Sequence, residues 1–143
     1  MFMVEYPAMI EVTVTHSGDV KFEIAARKHT LVCDQPPNNG GQDLGMTPPE
    51  LLLASLGSCA AFYAVAYLKK KGILREGVEV SAFAEKASAP ARLHPIRIEV
   101  SVPGDLSDAY RAGVEEAVHH CLIHNTLLHP PAITIAIHTL AAV

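Results

Sequence analysis

Apolar and polar residues alternate through residues 8 to 32, the period expected of strands with one face covered. Ile10, Val12 and Val14 fall on one side, a Ser17-Gly18-Asp19 turn follows, and Val20, Phe22 and Ile24 resume the alternation. This predicts a hairpin, with Thr30 to Cys33 as a third strand. Residues 34 to 50 are rich in proline, glycine and asparagine and form a loop long enough to suspect a function. Thr47, Pro48 and Glu50 then supply a cap, a first helical position and a first-turn acid. The helix they start runs to about Lys71 and stops at Gly72, with Lys69, Lys70 and Lys71 at its negative end. From Leu51 to Leu68 it is apolar on nearly all sides, so it is expected to be buried on most faces, in a core or a dimer.

Alternation returns at Val78 to Lys86 and at Leu93 to Val102, two strands joined by a Ser-Ala-Pro-Ala-Arg-Leu-His-Pro turn. Leu106, Tyr110, Val114, Ala117 and Val118 recur at helical spacing, predicting a second helix from Leu106 to roughly Cys121. Ile133 to Leu140 alternates as a final strand. Three strands, a helix, two strands, a helix and a strand, without repeat or linker, predict one α+β domain over residues 1–143 with mostly antiparallel pairing.

The 143 residues suffice for a core without staples. Half are hydrophobic and only 18% charged, a balance that often accompanies a buried subunit interface. A formal charge of -4 gives no electrostatic reason to expect nucleic acid or an anionic membrane as partner. No apolar run is expected to span a bilayer, and the N-terminus lacks the basic start of a signal peptide, so a cytoplasmic location is expected. Three cysteines, an odd number, argue against a disulfide framework and leave reactive thiols, metal ligands or packing.

For Cys59, inside the long apolar helix, packing is the default reading. If Cys59 and Cys121 adjoin, one thiol can attack an oxidant and the other resolve the sulfenic acid; spacing alone does not place them together. His119, His120, His124 and His129 crowd Cys121. Zinc held by Cys121, His120 and His124 is the sharper reading of that cluster, and solvent-facing or satisfied histidines the commoner one. Arg27 is a strand-end charge or, beside a thiolate, the guanidinium that lowers its pKa. Glu50 is a first-turn acid or the carboxylate that orients such an arginine, and Cys33 reads as structural.

The segments Asp34–Ala61 and Cys121–Leu127 together resemble the OsmC/Ohr family of thiol-dependent hydroperoxide reductases. The family signature is a Pro-Glu-Leu-Leu-Leu-Ala-Ser-Leu-Gly-Ser-Cys helix start, then a second cysteine ahead of Asn-Thr-Leu; this chain carries the first at residues 49 to 59. Where the family often has Cys-Pro-Val-Ser, this chain reads Cys121-Leu122-Ile123-His124. The resemblance implies an intertwined homodimer with sheets around a long central helix and two active sites at the subunit interface. It implies Cys59 as peroxidatic nucleophile, Cys121 as resolving thiol and Glu50 holding an arginine, for which the chain offers Arg27. It also implies organic hydroperoxides as substrates, a role in oxidative or osmotic stress, a lipoamide- or thioredoxin-type dithiol as reductant, and no flavin, haem or metal cofactor. The alternative is a non-catalytic module of the same fold that holds an apolar ligand or redox signal at the dimer interface.

Overall fold

The structure, a computed structural model, describes residues 9–141. Its residues gather into two compact units, one up to Leu53 and one from Ala54 onward, with a single helix running across the boundary. The first unit holds strands β1 (Thr13–Gly18), β2 (Lys21–Ala26) and β3 (His29–Cys33), an antiparallel meander in sequence order. The register sets Val14 opposite Ile24 and Ile24 opposite Leu31, so the alternation in the sequence becomes one apolar row across the sheet. Its first strand starts at Thr13, later than the expected alternation, and Ile10 and Val12 stand exposed outside it.

Both hairpin turns use left-handed backbone. Asp19 has φ 45° and Arg27 φ 54°, and Ala26 pairs with His29 so that Arg27 and Lys28 form a two-residue loop. The expected loop after β3 is anchored by Asp34, which is 1% exposed. Its carboxylate accepts the backbone N–H groups of Gln35, Gln42 and Leu44 at 2.8, 3.1 and 3.1 Å. Burial alone would raise the Asp34 pKa; those three donors and the Lys21 charge outweigh it and hold the carboxyl below 3.8.

Helix α1 spans Pro48–Lys70. Glu50 Oε2 accepts the Thr47 N–H at 2.7 Å and the Thr47 hydroxyl at 2.8 Å, so the helix starts where the sequence places it, with the first-turn acid rather than the Thr47 hydroxyl as the accepting group. At the other end Gly72, at φ 70°, turns the chain so that the Ile73 N–H bonds the Leu68 carbonyl at 3.0 Å. Against the sequence expectation, α1 is long and apolar enough by length and composition to cross a membrane. A core helix passes the same test, and α1 buries a stripe at four-residue spacing: Leu56, Ala60, Ala64 and Leu68. Its burial is narrower than its all-round apolar sequence predicts, since Leu52 and Phe62 remain exposed.

In the second unit β4 (Glu79–Ala87) and β5 (Arg92–Ser101) form an antiparallel pair in which Val80, Ala82 and Ala84 face Val100, Ile98 and Ile96. Helix α2 (Asp108–His119) is capped by Ser107, whose hydroxyl accepts the Tyr110 N–H at 3.3 Å. The core joins Ala64 and Leu68 of α1 to Val114 of α2, flanked by Tyr67, Ile73, Val78, Val100, Leu106 and Val118. Close approach at the α1–α2 seam depends on Gly113, where a Cβ would overlap the Tyr67 hydroxyl and ring.

Two sequence expectations are corrected here. The second helix does not run to Cys121: α2 ends at His119, and a separate α3 (Leu122–Leu128) starts after Cys121. The final strand is not formed among the described residues. Ile133, Ile135, Ile137 and Leu140 are 83 to 93% exposed, with no neighbouring strand to pair with. A strand needs a partner ladder as well as an alternating face, and the described chain supplies none.

Candidate active site

The break between α2 and α3 brings the two thiols together. Cys121 takes φ −58° and ψ 125°, out of helical conformation, and becomes the N-cap of α3. Its Sγ accepts the His124 backbone N–H at 3.4 Å, and the residue is fully buried. There it is in hydrogen-bond contact with Cys59, which α1 presents one turn after Leu56. Gly57 seats this part of α1 on the sheet, where a Cβ would lie 3.8 Å from Ala82 and 3.9 Å from Val80. Both cysteines are free thiols.

The pair is unequal. Cys59 is partly exposed and Cys121 is sealed. Burial pushes the Cys121 thiol above its ordinary 9.0, and the hydrogen bond to Cys59 pushes it the same way. The N–H groups of His124 and Ile123 pull in the opposite direction without winning. Cys121 therefore keeps its proton and donates it towards Cys59. No guanidinium is among the groups that act on it.

Of the other residues singled out by sequence, Arg27 lies exposed at the β2–β3 turn and Glu50 at the α1 cap, both in the first unit. The Glu50 carboxyl is held below its ordinary value by the Thr47 N–H and then by the Thr47 hydroxyl, so its partner within the chain is Thr47. Cys33 is buried at the end of β3, beside Met46.

The histidines do not assemble as their spacing suggests. His120 turns to the Glu116 carbonyl at 2.9 Å, and His129 to the Asn125 carbonyl at 3.2 Å. His119 and His124 instead lie ring to ring across the helix break, centroids 5.3 Å apart. Among the described residues no three His, Cys, Asp or Glu side chains are gathered to hold a metal. The sequence reading overlooked the His119–His124 pair because it carried one helix through the break. Both rings border a cleft of about 860 Å³, whose walls include Leu56, Ile96, Ile98, Val118 and Leu127.

A family model described as OsmC-like protein matches residues 40–136. Among solved structures, the chain is similar to a Psychrobacter arcticus protein provisionally named as osmotic stress induced and detoxification response. The identity is 20%, the TM-score 0.76, and the match covers 86% of this chain and 91% of that one. An OsmC-like protein from Mycoplasma pneumoniae is 18% identical, with TM-score 0.71 over 87% and 91%. An organic hydroperoxide resistance protein OsmC from Legionella pneumophila is 17% identical, with TM-score 0.66 over 86% and 91%. At these identities the likeness to the solved structures is one of fold. No curated protein matches the sequence.

Proposed function

The chain belongs to the OsmC-like protein family, and from that premise we propose that it reduces organic hydroperoxides by a dithiol cycle, with Cys59 attacking and Cys121 resolving. The observation that carries this reading is the contact between two free thiols of opposite exposure, brought together from distant parts of the chain. An incoming peroxide meets the partly open Cys59 first. The Cys59 thiolate bonds to one peroxide oxygen, the O–O bond breaks, and the other oxygen leaves as an alcohol after taking a proton. Cys121, protonated and sealed until then, attacks the Cys59 sulfenic acid; an S–S bond forms, the S–O bond breaks, and water leaves.

In this proposal Arg27 supplies the guanidinium that steadies the thiolate and the leaving oxygen, and Glu50 orients it. A dithiol of the lipoamide or thioredoxin type reduces the disulfide, no flavin, haem or metal takes part, and the setting is the cytoplasm under oxidative or osmotic stress. The working unit is an intertwined homodimer. The exposed alternating isoleucines at 133, 135 and 137, and the bare Phe62 on α1, support a second copy as their cover.

Adding cumene hydroperoxide and counting residual thiols tests the cycle. Both Cys59 and Cys121 should disappear from the free-thiol count, peroxide consumption should cease in Cys59→Ser, and Cys121→Ser should turn over once and stall as sulfenic or over-oxidised Cys59. Peroxide consumption that survives unchanged in Cys59→Ser overturns the proposal. Thiols that stay reduced throughout favour the binding-module alternative.

A further inference from the structure

Helix α3 is held at its ends more than by its packing. It is seven residues long, too short to persist unaided in water, and none of the seven is buried. Leu122, Leu127 and Leu128 are 55, 40 and 61% exposed. The first turn hangs on Cys121, whose Sγ accepts the His124 N–H at 3.4 Å and whose carbonyl accepts the Asn125 N–H at 3.0 Å. The helical form also carries a cost, because His124 Nδ1 is buried there with no hydrogen-bond partner among the described residues.

The atom that caps α3 is also the atom that the dithiol cycle consumes. In the reduced chain Cys121 Sγ makes two contacts, one to the His124 N–H and one to Cys59. When resolution replaces the Cys121 S–H bond by S–S, that second contact has to tighten from a hydrogen bond to a covalent one. Cys59 is the firmer side, since Leu56 and Ala60, before and after it on α1, are buried. Cys121 sits outside helical conformation at the break, so the movement falls there. Resting on the dithiol reading above, we propose that disulfide closure draws Sγ off the His124 N–H and uncaps α3. The helix is then firm in the reduced chain and frayed in the oxidised one.

The fraying reaches the cleft, where His124, Leu127 and Leu128 are the α3 side of the wall. Release of α3 opens that side and lets His124 Nδ1 reach water, which offsets part of the lost cap. The reduced chain, awaiting peroxide, and the oxidised chain, awaiting a dithiol, thus differ in the surface beside Cys121 as well as in the bond itself. A cross-link commonly stabilises the fold it joins, which is the opposite expectation. The double duty of one sulfur, as cap and as resolving thiol, reverses the sign for α3.

Residue-resolved amide hydrogen exchange by NMR tests this on the full chain, before and after one equivalent of cumene hydroperoxide, with the disulfide verified by mass spectrometry. The His124 amide should exchange about 5-fold faster once the disulfide closes, as loss of one cap implies, while the amides of Ala64 and Leu68 in α1 should not follow. Cys121→Ser keeps an oxygen cap and has no thiol to close the bond, so peroxide should leave its His124 exchange unaltered. Cys59→Ser, which keeps the native cap sulfur, is the second variant and should behave alike. An oxidised wild-type chain whose His124 amide exchanges at the reduced rate or slower overturns the switch and leaves the dithiol cycle standing. Equal acceleration in either peroxide-treated variant overturns it too, because the cap is then not the cause. A wild-type chain in which peroxide closes no disulfide overturns the cycle and the switch together.

Discussion

Gly113→Ala ought to stabilise helix α2, and the structure predicts the reverse. Alanine in a helix interior is worth about 1 kcal/mol more than glycine. At this position, however, the new methyl would overlap the Tyr67 hydroxyl and Cζ, and would lie 2.7 Å from Cε2. A ring blocked along its whole far edge has to swing out as a unit. Tyr67 packs against the Ala64, Leu68 and Val114 cluster, so its departure costs about 1.5–3 kcal/mol of burial. The net result is a loss of about 0.5–2 kcal/mol, or a few degrees in Tm. In a Tyr67→Ala background the obstacle is gone and Gly113→Ala should gain its full ~1 kcal/mol. Urea unfolding followed by circular dichroism, run as a double-mutant cycle, reads both values. Equal effects in the two backgrounds, or a stabilised Gly113→Ala single variant, would refute the close-approach argument. The seam matters for the chemistry as well, because α2 leads directly into Cys121.

Leu68→Ala, at a fully buried position in the same core, should cost about 2–5 kcal/mol in the same unfolding assay. Asp34 has a folded pKa below 3.8, so its stabilising contribution is complete above that value and is lost as pH falls through the lower, folded one. Asp34→Asn should therefore be less stable at neutral pH and lose part of the acid dependence, measured as urea midpoints between about pH 2 and 6. Iodoacetamide should label Cys59 well ahead of the sealed, proton-holding Cys121, as read by peptide mass spectrometry. Ile135→Asp should shift the molecule towards monomer in sedimentation if the exposed tail is covered by a second copy.

Where local chemistry decides, the sequence was readable. Val14, Ile24 and Leu31 alternate and pair as expected, and Thr47 with Glu50 announces the start of α1. The break at Cys121 carries no glycine or proline, and apolar residues continue through it, so nothing local signals two helices in place of one. Ile133 to Leu140 has the strand pattern without a strand, because alternation reports what a face wants and not whether a ladder is there to meet it. The approach of Cys59 to Cys121 is a tertiary fact of the second unit, invisible in their spacing. The family resemblance, and not the periodicity, pointed to that pair.

The contact between the two thiols has a kinetic consequence. Groups that already touch react with effective molarities on the order of 10⁵ M or more when well oriented. An oxidised Cys59 therefore faces two competitors, a second oxidant arriving from dilute solution and a neighbour already present at Cys121. On the proposed cycle the neighbour is favoured over a dilute oxidant, and the outcome is a reducible disulfide instead of an irreversible sulfinic acid. On that proposed cycle, proximity in the resting state would act as a fuse that limits damage to the chain, set by the helix break that leaves Cys121 against Cys59.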